Sequence, residues 1–411
     1  MEAIGSMAGS VIGSSIGGVG GNKSYEDNTS FKIKFDGKEF KFSNKSTMIT
    51  DIYVDYTIFD STAGVCVMTI KSKEMVNEGT GIKVTKDFNI NLGSKIDLAM
   101  GYGGKNNNIF SGYVVETKID IGSGDNSTHS TLTSVLTVKC LDPKWYLMSD
   151  AKSNQFPKRK NKKYSAVVQD VLKNSGYAQK FKVGTVDIKQ EPEEATFFGD
   201  VACQYNETDF DFLKRLAEET GCFFYANEVG ELNFISLDSN KKPKATVKEI
   251  TQSEALKASF QINRNNIPTS VMVTGLNKDE IKELIISQFG DSTLIGSGDD
   301  SDKLTKNTSK SSICLLELNV PVTKAYTDFR AKAIMNLKEI HFARAEVTVK
   351  GVPDFKLGQM ISTKGIGAIP GNQYLITGIT RQYHSQPVVT FTTTLTLNAT
   401  RSKPIPLNKK S

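Results

Sequence analysis

The stretch that decides the fold is QYNETDFDFLKRLAEETGCFFY, residues 204–225. Thr208 and Asp211 have the spacing of a capping box, which predicts a helix that begins after Thr208. Gly221 predicts its end, because glycine readily adopts the left-handed conformation of a helix C-terminus. Asp211, Arg215 and Glu219 follow one another at ion-pair spacing on the exposed side. The apolar residues that recur at helical spacing and predict a buried stripe are Phe212, Leu213, Leu216 and Ala217.

This helix belongs to a predicted α+β module over residues 151–250. Residues 222–237 read as two strands joined by a turn at 227–230. An earlier helix is predicted with Ser165 as its N-cap and Gly176 just past its end. Its apolar face consists of Val167, Val168, Val171 and Leu172.

Alternating apolar residues predict strands on both sides of the module. A first β-barrel is predicted over 31–150 and a second over 251–400, because short strands recur at hairpin spacing between Gly, Asn and Asp clusters. The second barrel contains a long helix capped by Thr323, with Tyr326, Phe329, Ala333, Leu337 and Ile340 on its apolar face. The expected fold class is therefore mainly β with an α+β insert.

The two β-regions resemble each other. Leu92-Gly93-x-x-Ile96 leads through a Gly/Asn turn to residues 110–115, and Leu357-Gly358-x-x-Ile361 leads through a second turn to residues 375–379. In the first copy Gly112 lies in the returning strand, and in the second Gly378 does. The spacing predicts a duplicated barrel, although β-regions of unrelated origin also share such patterns.

Three segments show no strand or helix periodicity. Residues 1–30 are rich in Gly and Ser and read as a flexible tail or as a segment that packs against another protein. Residues 290–311 read as a loop. Residues 401–411 form a basic, Pro-containing tail.

Composition excludes several classes of protein. The chain has 411 residues, a net charge of +6 and 38% hydrophobic residues, which indicates a globular protein of several domains. Only seven of its 51 basic residues are Arg, which disfavours a surface dedicated to phosphate recognition. The five cysteines are an odd number without a C-x-x-C spacing, which favours buried thiols in a reducing compartment over disulfides or zinc.

No motif predicts catalysis or a cofactor. The histidines, 129, 341 and 384, lack metal-ligand spacing. GYGGKNNN (101–108) reads as a hairpin turn, since it lacks the Gly-Lys-Ser/Thr ending of a phosphate loop. The acidic run at 299–302 lacks the ligand spacing of a calcium loop, and the basic run at 157–163 lacks interleaved aromatics. Three carboxylates could in principle serve glycoside hydrolysis but read as an exposed charge run: Glu191, Glu193 and Glu194.

Residues 204–225 resemble the signature helix of the VgrG and phage late control gene D family, the central tail hubs of contractile injection systems. The matching positions are Gln204, Glu207, Asp209, Phe212, Leu213, Arg215, Leu216, Glu219 and Gly221. The pattern around the barrels is similar as well, at Gly93, Gly112, Gly358 and Gln359. The resemblance covers about residues 31–400.

The resemblance implies a structural protein without enzyme activity in this region. Two tube-like barrels per protomer and three copies per ring would give six barrels, which match a six-fold tail tube on one face and a three-fold spike on the other. The implied partners are the chain itself as a homotrimer, the tail tube protein, a separate spike protein and the baseplate wedge, with a tape measure or cargo for residues 1–30. The implied location is the bacterial cytoplasm during assembly and a phage tail or tail-like particle, such as a tailocin, afterwards.

Two departures leave alternatives open. Residues 1–30 have no recognised counterpart in the family. VgrG proteins usually continue into an OB-fold and a β-helical spike, whereas this sequence ends shortly after residue 400, so a separate spike is expected. A spike-less type VI secretion hub fits the same residues. From another class, a tail-associated cell-wall hydrolase would need a catalytic Glu/Asp or Cys/His constellation, and a carbohydrate-binding β-protein would need several exposed Trp platforms.

Overall fold

The computed structural model describes residues 29–399 apart from short gaps. The gaps are 41–46, 60–61, 74, 79–80, 86–87, 123–132, 157–162, 178, 193–201, 237–247, 264–267, 269, 278–283, 290–312, 352–353, 367–372 and 387. Most of the described residues are in strands. Several sequence-based assignments lie outside the described residues, namely His129, Glu193, Glu194, the runs at 157–162 and 299–302, and both chain ends.

The strands before the module are β1 (Thr29–Phe35), β2 (Lys38–Glu39), β3 (Thr47–Thr57), β4 (Val65–Ser72), β5 (Val76–Glu78), β6 (Gly81–Thr85), β7 (Phe88–Asn91), β8 (Lys95–Tyr102), β9 (Lys105–Gly122) and β10 (Thr133–Leu141). The module contains a 3-10 helix (Pro143–Met148), β11 (Ala151–Phe156), α1 (Tyr164–Leu172), a 3-10 turn (Ser175–Tyr177), β12 (Lys182–Asp187), β13 (Ala202–Thr208), α2 (Asp209–Thr220), β14 (Cys222–Ala226) and β15 (Glu231–Ser236). The remaining elements are β16 (Lys248–Thr251), β17 (Ala255–Ile262), β18 (Ser270–Asn277), β19 (Leu284–Phe289), β20 (Ile313–Val322), α3 (Lys324–Glu339), β21 (Ala343–Lys350), β22 (Met360–Lys364), β23 (Gln373–His384) and β24 (Thr390–Ala399).

Thirteen strands form one large sheet with an internal repeat. The first unit has the strand order β3-β4-β10-β9-β8, and the second unit has the order β17-β21-β24-β23-β22. Corresponding strands occur in the same order along the chain and pair antiparallel in both units. The second unit carries β18–β20 and α3 as an insertion between its first two strands.

The β-bulges of the two units lie at corresponding positions. The pairing of β3 with β4 shifts between Ile49 and Asp51, and that of β17 with β21 shifts at the corresponding place, between Ala255 and Lys257. A second pair of bulges lies in β9, after Val114, and in β23, after Ile376. Because a bulge fixes strand twist and register, its recurrence at both positions supports a true duplication.

The glycine turns before β8 and β22 also match. The amide of Gly93 donates to the carbonyl of Val114 at 2.8 Å, and Gly358 donates to Ile376 at 2.9 Å. Both glycines have positive φ, +80° and +75°, which favours glycine there. These bonds pair Val114 with Ile376, so Gly112 corresponds to Tyr374 and not to Gly378, contrary to the alignment suggested by the sequence.

The described strands of the two units do not close into barrels, so the two barrels expected from the sequence remain a prediction. The two units join edge to edge through β3 and β23, from Thr57↔Gly378 to Asp51↔His384, and the described strands form one sheet. The sheet folds over a shared core, since the ring of Phe31 on β1 packs against Tyr383 on β23 with centroids 4.7 Å apart. The predicted boundaries at 30, 150, 250 and 400 remain predictions.

The α+β module has a core of its own. α1, α2 and the β12-β15-β14 sheet pack together, and Tyr326 and Phe329 of α3 complete this core. The other face of α3 covers β18 through Ala331 and Met335. The helix α3 therefore ties the insertion of the second unit to the module.

Most local predictions are confirmed. Thr323 caps α3 as predicted, and Gly103 and Gly104, both with positive φ, form the two-residue turn between β8 and β9. Cys66, Cys140 and Cys222 are buried as expected, whereas Cys314 is half-buried and Cys203 is exposed. Ser165 is not the N-cap of α1: the helix begins at Tyr164, and the cap residue is Lys163, which makes no side-chain cap.

No helix in the described part of the chain has the length and apolar character needed to cross a bilayer.

Candidate functional site

The helix α2 is held at both ends as its sequence predicts. The amide of Asp211 donates to Thr208 Oγ1 at 3.0 Å, and Thr208 Oγ1 donates to the Asp211 carboxylate at 2.6 Å. Gly221 ends the helix with φ +68°. Arg330 of α3 donates to the carbonyl of Glu218 at 3.1 Å, so the next helix satisfies a carbonyl left free at the C-terminus.

Removal of the cap hydroxyl should destabilise α2. We expect Thr208→Ala to lower the free energy of unfolding by about 1 kcal/mol, because the amide of Asp211 loses its acceptor. Thr208→Ser keeps the hydroxyl and should stay within about 0.3 kcal/mol of the parent. Urea unfolding followed by the fluorescence of the single Trp, Trp145, measures both. Equal losses for the two variants would contradict the assignment.

The apolar stripe of α2 lies in the core of the module. Phe212, Leu213 and Leu216 are fully buried, and Ala217 is 6% exposed. The ring of Phe210, which the predicted stripe did not include, packs beside Phe224 of β14 at 6.0 Å. The helix is therefore fixed against the β14–β15 hairpin that follows it.

Three polar side chains surround Asp209 and form with it a cluster, termed here the Asp209 cluster. Lys152 Nζ lies 2.5 Å from Asp209 Oδ2, Gln204 Nε2 donates to Asp209 Oδ1 at 2.8 Å, and the Tyr177 hydroxyl donates to Oδ2. Asp209 is 3% exposed and Gln204 is 1% exposed. Burial and the hydrogen bond to Asp209 raise the pKa of Tyr177 to about 12. The cluster joins α2 to β11 and β13, so its role in this geometry is to position elements.

A second network surrounds Arg215 on the solvent side of α2. Its guanidinium donates to Glu207 at 2.6 Å, to Glu219 at 3.3 Å and to the carbonyl of Cys203 at 2.8 Å. The hydrogen bond to Glu207 is the largest cause of the raised Arg215 pKa. The predicted ion pair between Arg215 and Glu219 is present. The shorter ion pair of Arg215 is with Glu207, whereas the sequence predicted one with Asp211. The structure thus brings the polar positions of residues 204–219 together as two networks that join β13 to α2.

Glu191 is not part of an exposed charge run. Its carboxylate accepts hydrogen bonds from the amide and the hydroxyl of Ser165, each at 2.8 Å, and so caps α1 from a distant segment. Burial is the largest influence on Glu191 and raises its pKa, although these bonds oppose the shift. No local pattern predicts this contact, because β12 lies between the two residues along the chain.

We expect Glu191→Ala to lower the free energy of unfolding by about 1 kcal/mol, since the N-terminus of α1 loses its acceptor. Glu218→Ala, at an exposed position on α2, is the matched control and should change stability by less than about 0.5 kcal/mol. Thermal unfolding of both variants measures the difference. A Glu191 variant as stable as the control would show that the contact carries no stability.

The remaining positions of the resemblance lie in the sheet, at Gly112, or in the turns that lead into it, at Gly93, Gly358 and Gln359. A side chain at Gly112 would approach the Leu141 carbonyl at 2.2 Å, so close strand packing requires glycine there. Gly358 faces the hydroxyl of Tyr225, which links the second unit to the module. Gln359 Oε1 accepts from the amide of Lys356 at 3.2 Å.

The candidate chemical residues are dispersed. His384 Nδ1 lies 2.7 Å from Asp51 at the exposed junction of the two units. His341 packs against Phe59, and burial is the first cause of its lowered pKa. Within the described ranges, no three His, Cys, Asp or Glu side chains come together as a metal-binding group.

Two polar features were not evident from the sequence. A groove of about 720 Å³ between the first unit and the module is lined by five lysines and two acidic residues, a positive surface composed from distant segments: Lys32, Lys34, Lys95, Lys180, Lys182, Asp97 and Glu231. Arg381 is 1% exposed on β23 and donates to the carbonyl of Phe355 at 2.8 Å. Only the tertiary structure assembles either feature.

Comparison with solved structures shows which class of fold this is. A 43 kDa tail protein of prophage MuSo2 from Shewanella oneidensis matches with a TM-score of 0.59 and 14% identity, over 90% of this chain and 98% of that one. A tail protein from Neisseria meningitidis matches with a TM-score of 0.59 and 12% identity, over 90% and 96%. The Escherichia coli c3393 protein, described as a type VI secretion component similar to the T4 tail proteins gp27 and gp5, matches with a TM-score of 0.51 and 14% identity, over 91% and 80%. The chain therefore has the fold of these tail proteins.

The family is shown by sequence. The model of the Alg8 N-terminal domain family matches residues 25–385, and the chain belongs to this family. No curated protein matches the sequence. The resemblance to tail hubs is thus supported as a shared fold, while the sequence family is the Alg8 N-terminal domain.

Proposed function

We propose that this protein is a structural component of a contractile tail or baseplate, and within it the central hub. Three copies would form a ring with an axial channel, receive the six-fold tail tube on one face and present a three-fold face to a spike. The protein would act through protein contacts alone, without catalysis or a cofactor.

The duplicated sheet is the observation that carries this proposal. A chain with two equivalent units offers six equivalent positions when three copies surround an axis, which suits contact with a hexameric ring. The two units share strand order, both pairs of bulges and the glycine turns. A chain with one unit could not offer this match as a trimer.

The shared fold supports the same function. Two of the similar structures are tail proteins, and a third is a type VI secretion component. The proposed partners are therefore the tube protein, a spike protein and baseplate wedge proteins, with residues 1–30 toward a tape measure or cargo. We propose assembly in the bacterial cytoplasm and a final place in a phage tail, a tailocin or a related particle.

The decisive experiment is electron microscopy of the assembled protein, together with its mass in solution. We expect three chains around an axis, with six sheet units at nearly equal angular spacing. A six-unit ring bound to a hexameric tube protein would support the hub directly. A stable monomer that binds neither tube nor spike would contradict it.

The alternatives differ in measurable ways. A spike-less type VI secretion hub would form the same ring but co-purify with a secretion tube instead of a phage tube. A tail-associated cell-wall hydrolase would release soluble fragments from purified peptidoglycan. We expect this protein to release no more peptidoglycan fragments than a buffer control. Release that persists in Glu191→Ala but is lost when another single carboxylate is replaced would favour the hydrolase.

A further inference from the structure

We infer that neighbouring copies of this chain join by strand pairing between β17 of one copy and the second half of β9 of the next, in the register that joins the two units within one chain. This inference rests on the homo-oligomeric ring of the proposed function and adds the residues and the register of its interface.

The junction inside the chain is the template. There the outer edge of β3 pairs antiparallel with the second half of β23, as Val54↔Arg381, Asp55↔Thr380 and Asp51↔His384. The amide of Ile58 donates to the carbonyl of Thr377 at 2.9 Å, so alternate residues of β3 point their backbone groups at β23. Thr380 Oγ1 reaches Asp55 Oδ1 at 2.6 Å across the pair.

Each chain also presents both halves of this junction without a described partner. β17 corresponds to β3 and forms the end of the described sheet. The second half of β9 corresponds to the second half of β23: β8 pairs with β9 only over Lys105–Tyr113, which leaves the edge at 116–122 without a described strand. Open strand edges are pairing sites that proteins normally cover.

Exposure agrees with a missing neighbour. Val54 in the covered strand is fully buried, whereas its counterpart Phe260 in β17 is only partly buried. Leu256 and Ile262, also in β17, are 55% and 41% exposed. An edge strand that exposes large apolar side chains is typical of an interface.

Transfer of the template register gives specific pairs. Equivalence of the bulges aligns Val54 with Phe260 and Arg381 with Ile119, so Ile119 of one copy faces Phe260 of the next. Both side chains already pack at the margin of the core. The same register places Lys118 opposite Gln261, because Lys118 corresponds to Thr380 and Gln261 corresponds to Asp55. The contact joins two different edges, so it is head-to-tail, and three copies close into a ring when each is rotated by about 120° from the last.

A disulfide tests the register. Asp55 and Thr380 form a non-hydrogen-bonded pair, in which side chains lie closest, so their counterparts suit a cross-strand disulfide. We expect Lys118→Cys with Gln261→Cys, in a Cys203→Ser, Cys314→Ser background, to give covalent dimers and trimers on oxidation. The matched control, Lys118→Cys with Lys257→Cys, places the second thiol four residues away on the same face. We expect it to give less than about one tenth of that product, because its Cα atoms are beyond disulfide reach.

The outcomes separate the two proposals. A trimer by mass whose matched pair forms no covalent product, or no more than the shifted pair, would overturn the inferred register and leave the proposed ring intact. A chain that stays monomeric by mass at high concentration and forms no crosslink would contradict both. Covalent trimers from the matched pair alone would support both.

A proline variant tests the edge without cysteines. Along β17 the backbone amides point alternately into the sheet and out of it. The amide of Asn263 points inward and donates to the carbonyl of Phe342 at 2.8 Å, so the amide of Ala258, five residues earlier, points outward. Ala258→Pro should leave the monomer folded, because proline is tolerated on an outer edge, and should weaken self-association at least about tenfold. A folded Ala258→Pro variant that assembles as well as the parent would overturn the inference.

Discussion

Phe212→Ala is expected to lower the free energy of unfolding by about 4 kcal/mol, because it removes a fully buried ring from the centre of the module core. The lost contacts include Arg215, whose guanidinium lies 5.2 Å from the ring centroid. Urea unfolding monitored by Trp145 fluorescence measures the change, since the 3-10 helix that carries Trp145 contacts α2.

Phe59→Ala is the matched control for this variant. Phe59 is 36% exposed and touches Phe223 and His341 at the surface, so its loss should cost about 1 kcal/mol. A Phe212→Ala variant that loses no more than the Phe59 variant would show that α2 is not the centre of the module.

Asp209→Ala is expected to lower the free energy of unfolding by about 3 kcal/mol. It leaves the buried Gln204, the half-buried Tyr177 and the half-buried Lys152 without their shared acceptor, and hydrogen-bond donors left unpaired away from water cost about 1–3 kcal/mol each. The same unfolding measurement applies.

A double variant separates the pair from its surroundings. The double variant Lys152→Met with Asp209→Leu removes both charges. Its loss of unfolding free energy should be clearly smaller than the sum of the losses of Lys152→Met and Asp209→Leu measured singly. Additive losses would show that Lys152 and Asp209 do not stabilise each other, and an Asp209→Ala variant within about 0.5 kcal/mol of the parent would contradict the cluster altogether.

The local elements could be predicted because their signals are local. The capping box at Thr208, the stripe of α2, Gly221 and the cap at Thr323 all depend on residues within a few positions of one another. The two-residue turn at Gly103 and Gly104 is likewise encoded by the glycines themselves. The resemblance of residues 204–225 to the tail-hub signature gave the class of fold, which the structural comparisons support.

Contacts between distant segments could not be predicted. Glu191 caps α1 although its neighbours look like an exposed charge run, and Lys152 completes the Asp209 cluster from another strand. The edge-to-edge junction of β3 with β23 is not indicated by hairpin spacing. Hairpin spacing specifies neighbours along the chain but carries no information about which distant edges pair.

The sequence by itself determined the helices α2 and α3 with their caps and the glycine turns, and it predicted a duplication, because periodicity, caps and glycine turns act over short distances. Only the tertiary structure decided that the duplicate units share one sheet, that their bulges align Val114 with Ile376, and that two sheet edges remain without a described partner. The junction depends on backbone pairing between residues more than 300 positions apart, such as Asp55 with Thr380. The alignment of the bulges depends on the pairing of whole strands, and a pattern read along the chain does not specify which strand edges meet.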